Sequence, residues 1–182
     1  GPDSEIFYDF GTKHDPKYGK ECHPNCDCGR FLEFGNSVFI EYEKQVDGSL
    51  KELPQKNVDF GGGLERMTMA VNNLQDVFTI DIYKPIIKKI EKVVEKRYES
   101  NKKAFRIIAD HIRASEALAG EGIIPSNKLQ GYILRRLIRR AVNYGKELRM
   151  KNFTPIVAEE VFKIYEDYSE LKNNKQLITI WK

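Results

Sequence analysis

The sequence predicts an α+β protein in which an antiparallel sheet is followed by a helical half. Residues 37–43 alternate as a strand does, and one face receives Val38, Ile40 and Tyr42. From residue 84 onward, apolar side chains recur every three or four positions, which is typical of amphipathic helices. We therefore expect two domains, a sheet-containing domain over residues 1–83 and a helical domain over residues 84–182.

The sheet is expected to continue after a turn. Asp47-Gly48 provides the residue types of a hairpin turn, from which the chain returns through Leu50 and Leu53. After Pro54 a separate short extended segment, residues 57–60, runs into three glycines and then into a helical pattern over residues 64–74.

The second half predicts four helices, over residues 83–98, 104–119, 128–148 and 155–168. Gly120 and Gly122 end the second of them. The apolar residues 177–181 are consistent with the start of a further segment.

Composition excludes several classes of protein. No apolar run approaches the ~20 residues of a membrane span, and the first residues lack the features of a signal peptide. The 3 cysteines all lie within residues 22–28, so they cannot cross-link the chain as a disulfide framework. We expect a protein of a reducing compartment, the cytoplasm, with no membrane partner.

Charge is divided unequally along the chain. Residues 1–83 carry 8 Lys and Arg against 15 Asp and Glu, whereas residues 84–182 carry 22 against 12. A basic helical half suggests a polyanionic partner, and a solvated lysine-rich face is the alternative.

The helix at residues 128–148 is predicted to present a basic face. One side of it receives Arg135, Arg136, Arg139 and Arg140, and the opposite side receives Ile133, Leu134, Leu137, Ile138, Ala141 and Val142. Four guanidiniums on one face repel one another, and phosphates would neutralise them. Intramolecular ion pairs with Asp110, Glu116 or the acidic half are the other interpretation.

Asn127 precedes this helix and has two possible roles. It is placed to cap the helix, with Gln130 completing a capping box. If Ser126 caps instead, the Asn127 amide is available to read a base edge.

A second group of residues surrounds the glycine run. Asp59 ends the predicted extended segment, Gly61 to Gly63 offer a backbone without Cβ atoms, and Arg66 follows in the first helical turn. A carboxylate can hold an ammonium group and a guanidinium can face a phosphate or a purine, which indicates an amino-acid or nucleotide site. Close packing of strand on helix also requires glycine, so this pattern alone is weak.

A cysteine cluster offers a metal site. Cys22, Cys26 and Cys28 would supply three Zn²⁺ ligands, with His23 or His14 as the fourth. The alternative is a turn that contains reduced cysteines.

Four segments of the chain resemble the alanyl-tRNA synthetases, a family of class II aminoacyl-tRNA synthetases. They are residues 1–9, residues 30–39, residues 57–66, which are similar to class II motif 3, and residues 106–114 taken with 125–127 and 131–140. The resemblance implies the later part of a class II antiparallel catalytic domain followed by a helical tRNA-recognition domain. The partners it implies are alanine, ATP with Mg²⁺, the acceptor stem of tRNA(Ala) and the remainder of the synthetase.

The same resemblance implies roles for individual residues. Asp59 would bind the α-amino group of alanine, Asn36 would position the alanine, and Gly61 would line the pocket floor. Gly63 and Arg66 would contact ATP. The acceptor stem would be contacted by Asn127, which would read the G·U wobble pair, and by Arg135, Arg136, Arg139 and Arg140.

Two departures from the family qualify these implications. The family has tryptophan where Gly35 stands, so the alanine pocket is expected to differ in shape. The earlier motifs of the family, including the arginine for the α-phosphate, should precede Gly1, so this chain alone is expected not to activate alanine. The rival interpretation is a non-catalytic RNA-binding module derived from a synthetase.

Overall fold

A computed structural model describes residues 2–168 and Leu171. The chain divides between Ile80 and Asp81 into two compact units, a sheet unit and a helical unit. The apolar stretch predicted at residues 177–181 lies outside the described residues.

The sheet unit contains one three-stranded antiparallel sheet, in the order β1 (Asp3–Asp9), β2 (Phe31–Lys44) and β3 (Leu50–Gly62). The predicted hairpin turn is confirmed, since Asp47 accepts hydrogen bonds from the Ser49 backbone N–H at 2.9 Å and hydroxyl at 2.6 Å. With the helices that follow, this arrangement confirms the α+β class.

The strands are longer than their patterns predicted. The alternating pattern predicts a strand only from residue 37, whereas β2 begins at Phe31. β3 runs through Pro54 without interruption, contrary to the prediction of two segments. Proline is tolerated there because β3 is an edge strand and its register with β2 shifts between Ile40 and Tyr42.

A short helix, α1 (Leu64–Val71), follows β3 directly and ends three residues before the predicted limit. Asn73 takes a left-handed conformation with φ of 50°, which the helix cannot include.

Among its described residues, the helical unit contains α2 (Lys84–Val94), α3 (Lys102–Gly120), α4 (Leu129–Glu147) and α5 (Thr154–Ile164). All four predicted helices are present among the described residues. α2 and α5 each end four residues before their predicted limits, and in α2 the reason is that Glu95 is left-handed, with φ of 56°. None of the described helices is both long and apolar enough to cross a membrane.

The core of the helical unit forms around α3. Its inward face, with Phe105, Ile108, Ala109 and Ile112, is fully buried. The neighbouring helices contribute the other buried side chains, Ile86, Ile90, Leu134, Ala141, Val157 and Val161. This packing leaves the polar sides of α2 and α4 at the surface.

Candidate amino-acid, RNA and metal sites

The sheet register places the predicted alanine-binding residues on one face. Asn36 in β2 pairs with Gly61 in β3, and Val38 pairs with Asp59. Paired residues of an antiparallel sheet point to the same side, so Asn36, Asp59 and Gly61 share a face. The Asn36 amide and the Asp59 carboxylate are diagonal neighbours there, a spacing that a small amino acid can bridge.

Asp3 belongs to the same face and was not predicted as part of the site. It pairs with Val38 from β1, while Asp59 pairs with Val38 from β3. The Asn36 side-chain amide donates a hydrogen bond to Asp3 Oδ2 at 3.4 Å. A face with two carboxylates and an oriented amide favours a cationic group such as an ammonium.

The glycines of the run have different roles. A Cβ on Gly61 would meet nothing within 4 Å, so its side of the sheet is open. A Cβ on Gly62 would lie 2.2 Å from Met67 Cε, so this glycine allows α1 to pack on the strand. The packing role that the sequence left open is therefore confirmed at Gly62, whereas Gly61 leaves open space on its side of the sheet.

Gly35 lies on the other face of the sheet. A Cβ there would lie 3.0 Å from the Phe60 ring, and strand alternation turns it away from Asn36. The difference from the family at Gly35 therefore bears on Phe60 and not directly on the face of Asn36.

Arg66 connects α1 to the sheet. Its Nη1 donates to the Glu33 carbonyl oxygen at 3.1 Å and to Glu33 Oε2 at 3.4 Å. A Cβ on Gly63 would lie 3.3 Å from the Arg66 side chain. Arg66 and Gly63 are therefore neighbours, as a shared nucleotide contact requires.

The guanidinium-bearing side of α4 is solvent-exposed. All four arginines predicted on that face are exposed, and the contacts of Asp110 among the described residues are to His111 and Tyr83. Leu134 and Ala141 on the opposite side are fully buried. Ile133, predicted on the apolar side, is 52% exposed, because the described residues leave the first turns of α4 uncovered, including Leu129 and Tyr132.

Asn127 does not cap α4. The N-cap residue is Lys128, which makes no side-chain cap hydrogen bond, so the predicted capping box with Gln130 is wrong. Ser126 instead bonds locally, as its hydroxyl donates to the Lys128 carbonyl oxygen at 3.0 Å. Asn127 Oδ1 accepts a hydrogen bond from Arg135 Nη1. The amide is therefore bound to one member of the arginine row, which consists of the exposed Arg135, Arg136, Arg139 and Arg140 of α4.

The cysteine cluster is drawn together in the connection between β1 and β2. The ligand atoms of His14, Cys22, Cys26 and Cys28 all lie within 4.8 Å of one another, whereas His23 is not in this group. Hydrogen bonding from His14 contributes most to lowering the pKa of the Cys28 thiol to about 6. The donor set is compatible with Zn²⁺, and of the two histidines left open by the sequence it selects His14.

The ends of this connection are joined by an ion pair. Arg30 Nε donates to Asp9 Oδ1 at 2.8 Å and Arg30 Nη2 to Asp9 Oδ2 at 2.7 Å. This bidentate contact, together with the Gly11 backbone N–H, lowers the pKa of Asp9 to about 2.

Comparison with known proteins identifies the family. The family model described as tRNA synthetases class II (A) matches residues 1–181, nearly the whole chain. The chain belongs to the class II tRNA synthetases.

Within that family the curated relatives are alanine–tRNA ligases. The chain is 45% identical to that of Elusimicrobium minutum over 97% of its own length, 43% identical to that of Petrotoga mobilis over 98%, and 42% identical to that of Clostridioides difficile over 90%. In each case the chain covers only 19–21% of the relative. It therefore spans about a fifth of the length of the alanine–tRNA ligases it matches, and its sequence resemblance to that family is confirmed.

Proposed function

We propose that this chain is the part of an alanine–tRNA ligase that helps to bind alanine and ATP and that holds the acceptor stem of tRNA(Ala). The observation that carries the proposal is the shared face of Asn36, Asp59 and Gly61 in the sheet unit. In the parent protein, alanine would be activated by ATP to an adenylate and transferred to the tRNA.

The chemistry of that face suits alanine. The Asp59 carboxylate would pair with the α-ammonium group, and the Asn36 amide, already held by Asp3, would orient the amino acid. The missing Cβ of Gly61 leaves room for a small substrate against the backbone.

The nucleotide would lie toward Gly63 and Arg66. ATP with Mg²⁺ is the nucleotide cofactor of class II synthetases, and in this proposal the Arg66 guanidinium faces it. The sheet unit has only one other arginine, Arg30, which is bound to Asp9. The guanidinium that stabilises charge on the α-phosphate would therefore come from the remainder of the parent, and this chain alone would not activate alanine.

The helical unit would bind RNA through α4. Arg135, Arg136, Arg139 and Arg140 would contact phosphates, and Asn127 would read the wobble pair beside them. Zn²⁺ at Cys22, Cys26 and Cys28 has no step in this reaction and would be structural.

Two measurements test the proposal. The purified chain should bind an acceptor-stem minihelix of tRNA(Ala) at low ionic strength, and the longer parent should catalyse alanine-dependent ATP–pyrophosphate exchange. Failure of minihelix binding would overturn the RNA-binding part. Binding without exchange by the parent would instead support the rival, a non-catalytic RNA-binding module.

A further inference from the structure

The connection between β1 and β2 is long, and neither secondary structure nor buried apolar side chains account for its conformation. It covers residues 10–30 and contains a single 3₁₀ turn, Pro16–Tyr18. Connections longer than about 12–15 residues without secondary structure are uncommon in compact domains. Cys26 is the only buried residue in this connection, at 7% exposure, so no apolar cluster organises it.

We propose that His14, Cys22, Cys26 and Cys28 bind one Zn²⁺ ion tetrahedrally, and that this ion acts as a clasp that fixes the β1–β2 connection. The inference concerns the fold of the sheet unit and does not depend on alanine, ATP or RNA binding.

The distances match a zinc tetrahedron. With Zn–S near 2.3 Å and Zn–N near 2.0–2.1 Å, the edges of such a tetrahedron are about 3.8 Å between sulfurs and about 3.6 Å between sulfur and nitrogen. Cys22 Sγ lies 3.6 Å from Cys28 Sγ, and Cys26 Sγ lies 3.7 Å from His14 Nδ1. The remaining separations are at most 4.8 Å, so a contraction of no more than about 1 Å would complete the site.

The imidazole of His14 is oriented for ligation. Its Nε2 lies 2.9 Å from the Gly19 carbonyl oxygen, to which it donates in the tautomer that leaves Nδ1 free of a proton. Histidines that bind metals ordinarily donate their second ring N–H in this way. Nδ1 is the atom that faces Cys26, so the hydrogen bond to Gly19 sets the ligand direction.

Metal binding here balances without any redox step. The three thiols lose their protons to solvent, and the thiolates and the neutral imidazole donate electron pairs to the ion. Three thiolates with one imidazole is a set that structural zinc sites use, and soft thiolates disfavour Mg²⁺ and Ca²⁺. A disulfide between Cys22 and Cys28 is the competing state, and it would require an oxidant.

The first test is metal content. The full chain, purified under reducing conditions and dialysed, should contain one zinc per chain by mass spectrometry. Co²⁺ in place of zinc should give the visible bands and the near-ultraviolet charge-transfer absorption of a tetrahedral thiolate site. A reduced chain that retains no zinc and gives no such cobalt spectrum would overturn the inference, and so would isolation of a Cys22–Cys28 disulfide that persists under reduction.

Two histidine variants provide a matched comparison. His14→Gln should lower zinc affinity by at least about tenfold, since changes even to the hydrogen-bond partners of metal ligands cost about 10- to 100-fold. His23 is an exposed histidine of the same connection, and His23→Gln should retain wild-type affinity. Equal losses in the two variants would reject His14 as the ligand.

The rate of proteolysis in the connection measures whether the zinc ion fixes its conformation. Lys13, Lys17 and Lys20 lie in the connection, so trypsin should cut there faster after chelation than in the zinc-loaded chain. Equal cleavage rates would show that the ion does not fix the connection. Far-ultraviolet circular dichroism should remain dominated by the helical unit in every variant, which separates local loosening from a failure to fold.

Discussion

Arg135 donates a hydrogen bond from its Nη1 to the side-chain oxygen of Asn127, eight positions earlier and just before α4 begins. The contact uses the oxygen of the amide as acceptor, so the two N–H donors of this exposed side chain take no part in it. Because Lys128 and not Asn127 occupies the cap position, the amide is an oriented donor beside a row of guanidiniums.

We expect Asn127→Ala to reduce discrimination between a G·U and a G·C pair in the acceptor stem. The loss of one base-edge contact should narrow the difference in binding free energy by about 1–3 kcal/mol. Competition binding with two minihelices that differ only at this pair measures the effect.

Asn143→Ala, which removes an exposed amide elsewhere on α4, should leave the discrimination intact. If Asn127→Ala weakened both minihelices equally, Asn127 would hold the RNA without reading the pair.

The arginine row should determine the salt dependence of RNA binding. Replacing Arg135, Arg136, Arg139 and Arg140 by glutamine should lower the slope of log K against log salt by about 3, since each neutralised phosphate contributes about 0.7–0.9. Fluorescence anisotropy with a labelled minihelix at several salt concentrations gives the slope.

Four lysines of the same unit provide a charge-matched control. Replacing Lys84, Lys88, Lys92 and Lys96 by glutamine removes the same charge from the surface at α2 and just beyond its end. We expect this variant to change the slope by less than half as much. Equal changes would mean that net charge, and not the α4 face, determines binding.

Substitution of Asp59 should raise the KM for alanine more than the KM for ATP. In the longer parent protein, Asp59→Asn removes a charge-assisted hydrogen bond of about 1.5–3 kcal/mol, so the KM for alanine should rise by about 10- to 150-fold. Pyrophosphate exchange at varied alanine and varied ATP separates the two constants. Glu52→Gln, on the same strand and away from the glycine run, serves as the control, and equal effects on both substrates would contradict the assignment.

Periodicity predicted the helical unit well because its signal is local. The apolar spacing along α3 and α4 follows directly from which side each helix buries, and Leu134 and Ile112 confirm it at 0% exposure. Ile133 departs from the pattern because burial there depends on what covers the first turns of the helix, which spacing does not specify.

The sheet unit was less predictable because its determinants are non-local. β1 begins with the polar residues Asp3, Ser4 and Glu5, all exposed, so no alternation marks it as a strand. The contact of Asp3 with Asn36 joins residues 33 positions apart, and the choice of His14 over His23 depends on how the connection folds back. The pairing register brings Asp3 and Asn36 together, and the fold of the connection brings His14 to the cysteines.

The helical unit should lose stability in acid because the Asp110 carboxylate becomes protonated. His111, hydrogen-bonded at 3.0 Å, is the main cause that lowers the pKa of Asp110 below its usual 3.8, and Tyr83 and Arg113 add to it. A lowered folded-state pKa contributes stability that is present above pH ~4 and is lost as pH falls below that value. Asp110→Asn should therefore be less stable at pH 7 and lose less stability in acid.

Urea unfolding at pH 7 and at a series of acidic pH values checks this expectation. Asp167→Asn, at an exposed position, is the control and should follow the wild-type curve. If the free energy of unfolding of Asp110→Asn fell in acid as much as that of the wild type, groups other than Asp110 would account for the acid dependence.

Gly131→Ala should reverse the usual effect of removing a helix glycine. In an open helix, this change stabilises by about 0.5–1 kcal/mol. At Gly131, however, the new Cβ would lie 2.5 Å from the Ile124 carbonyl oxygen and 2.3 Å from Ser126 Oγ. Backbone cannot rotate away as a side chain can, so the segment before α4 must move, and we expect a loss of about 1–3 kcal/mol.

The same displacement should reach Asn127, because the Ser126 backbone N–H donates to the Gly131 carbonyl oxygen at 3.0 Å and fixes the approach to the helix. We therefore expect Gly131→Ala to weaken wobble-pair discrimination as Asn127→Ala does, while the arginine row keeps its salt slope because α4 itself persists. Thermal unfolding and the two-minihelix competition measure the two effects. A stabilised variant with intact discrimination would show that the segment accommodates the methyl group, and that Gly131 does not position Asn127.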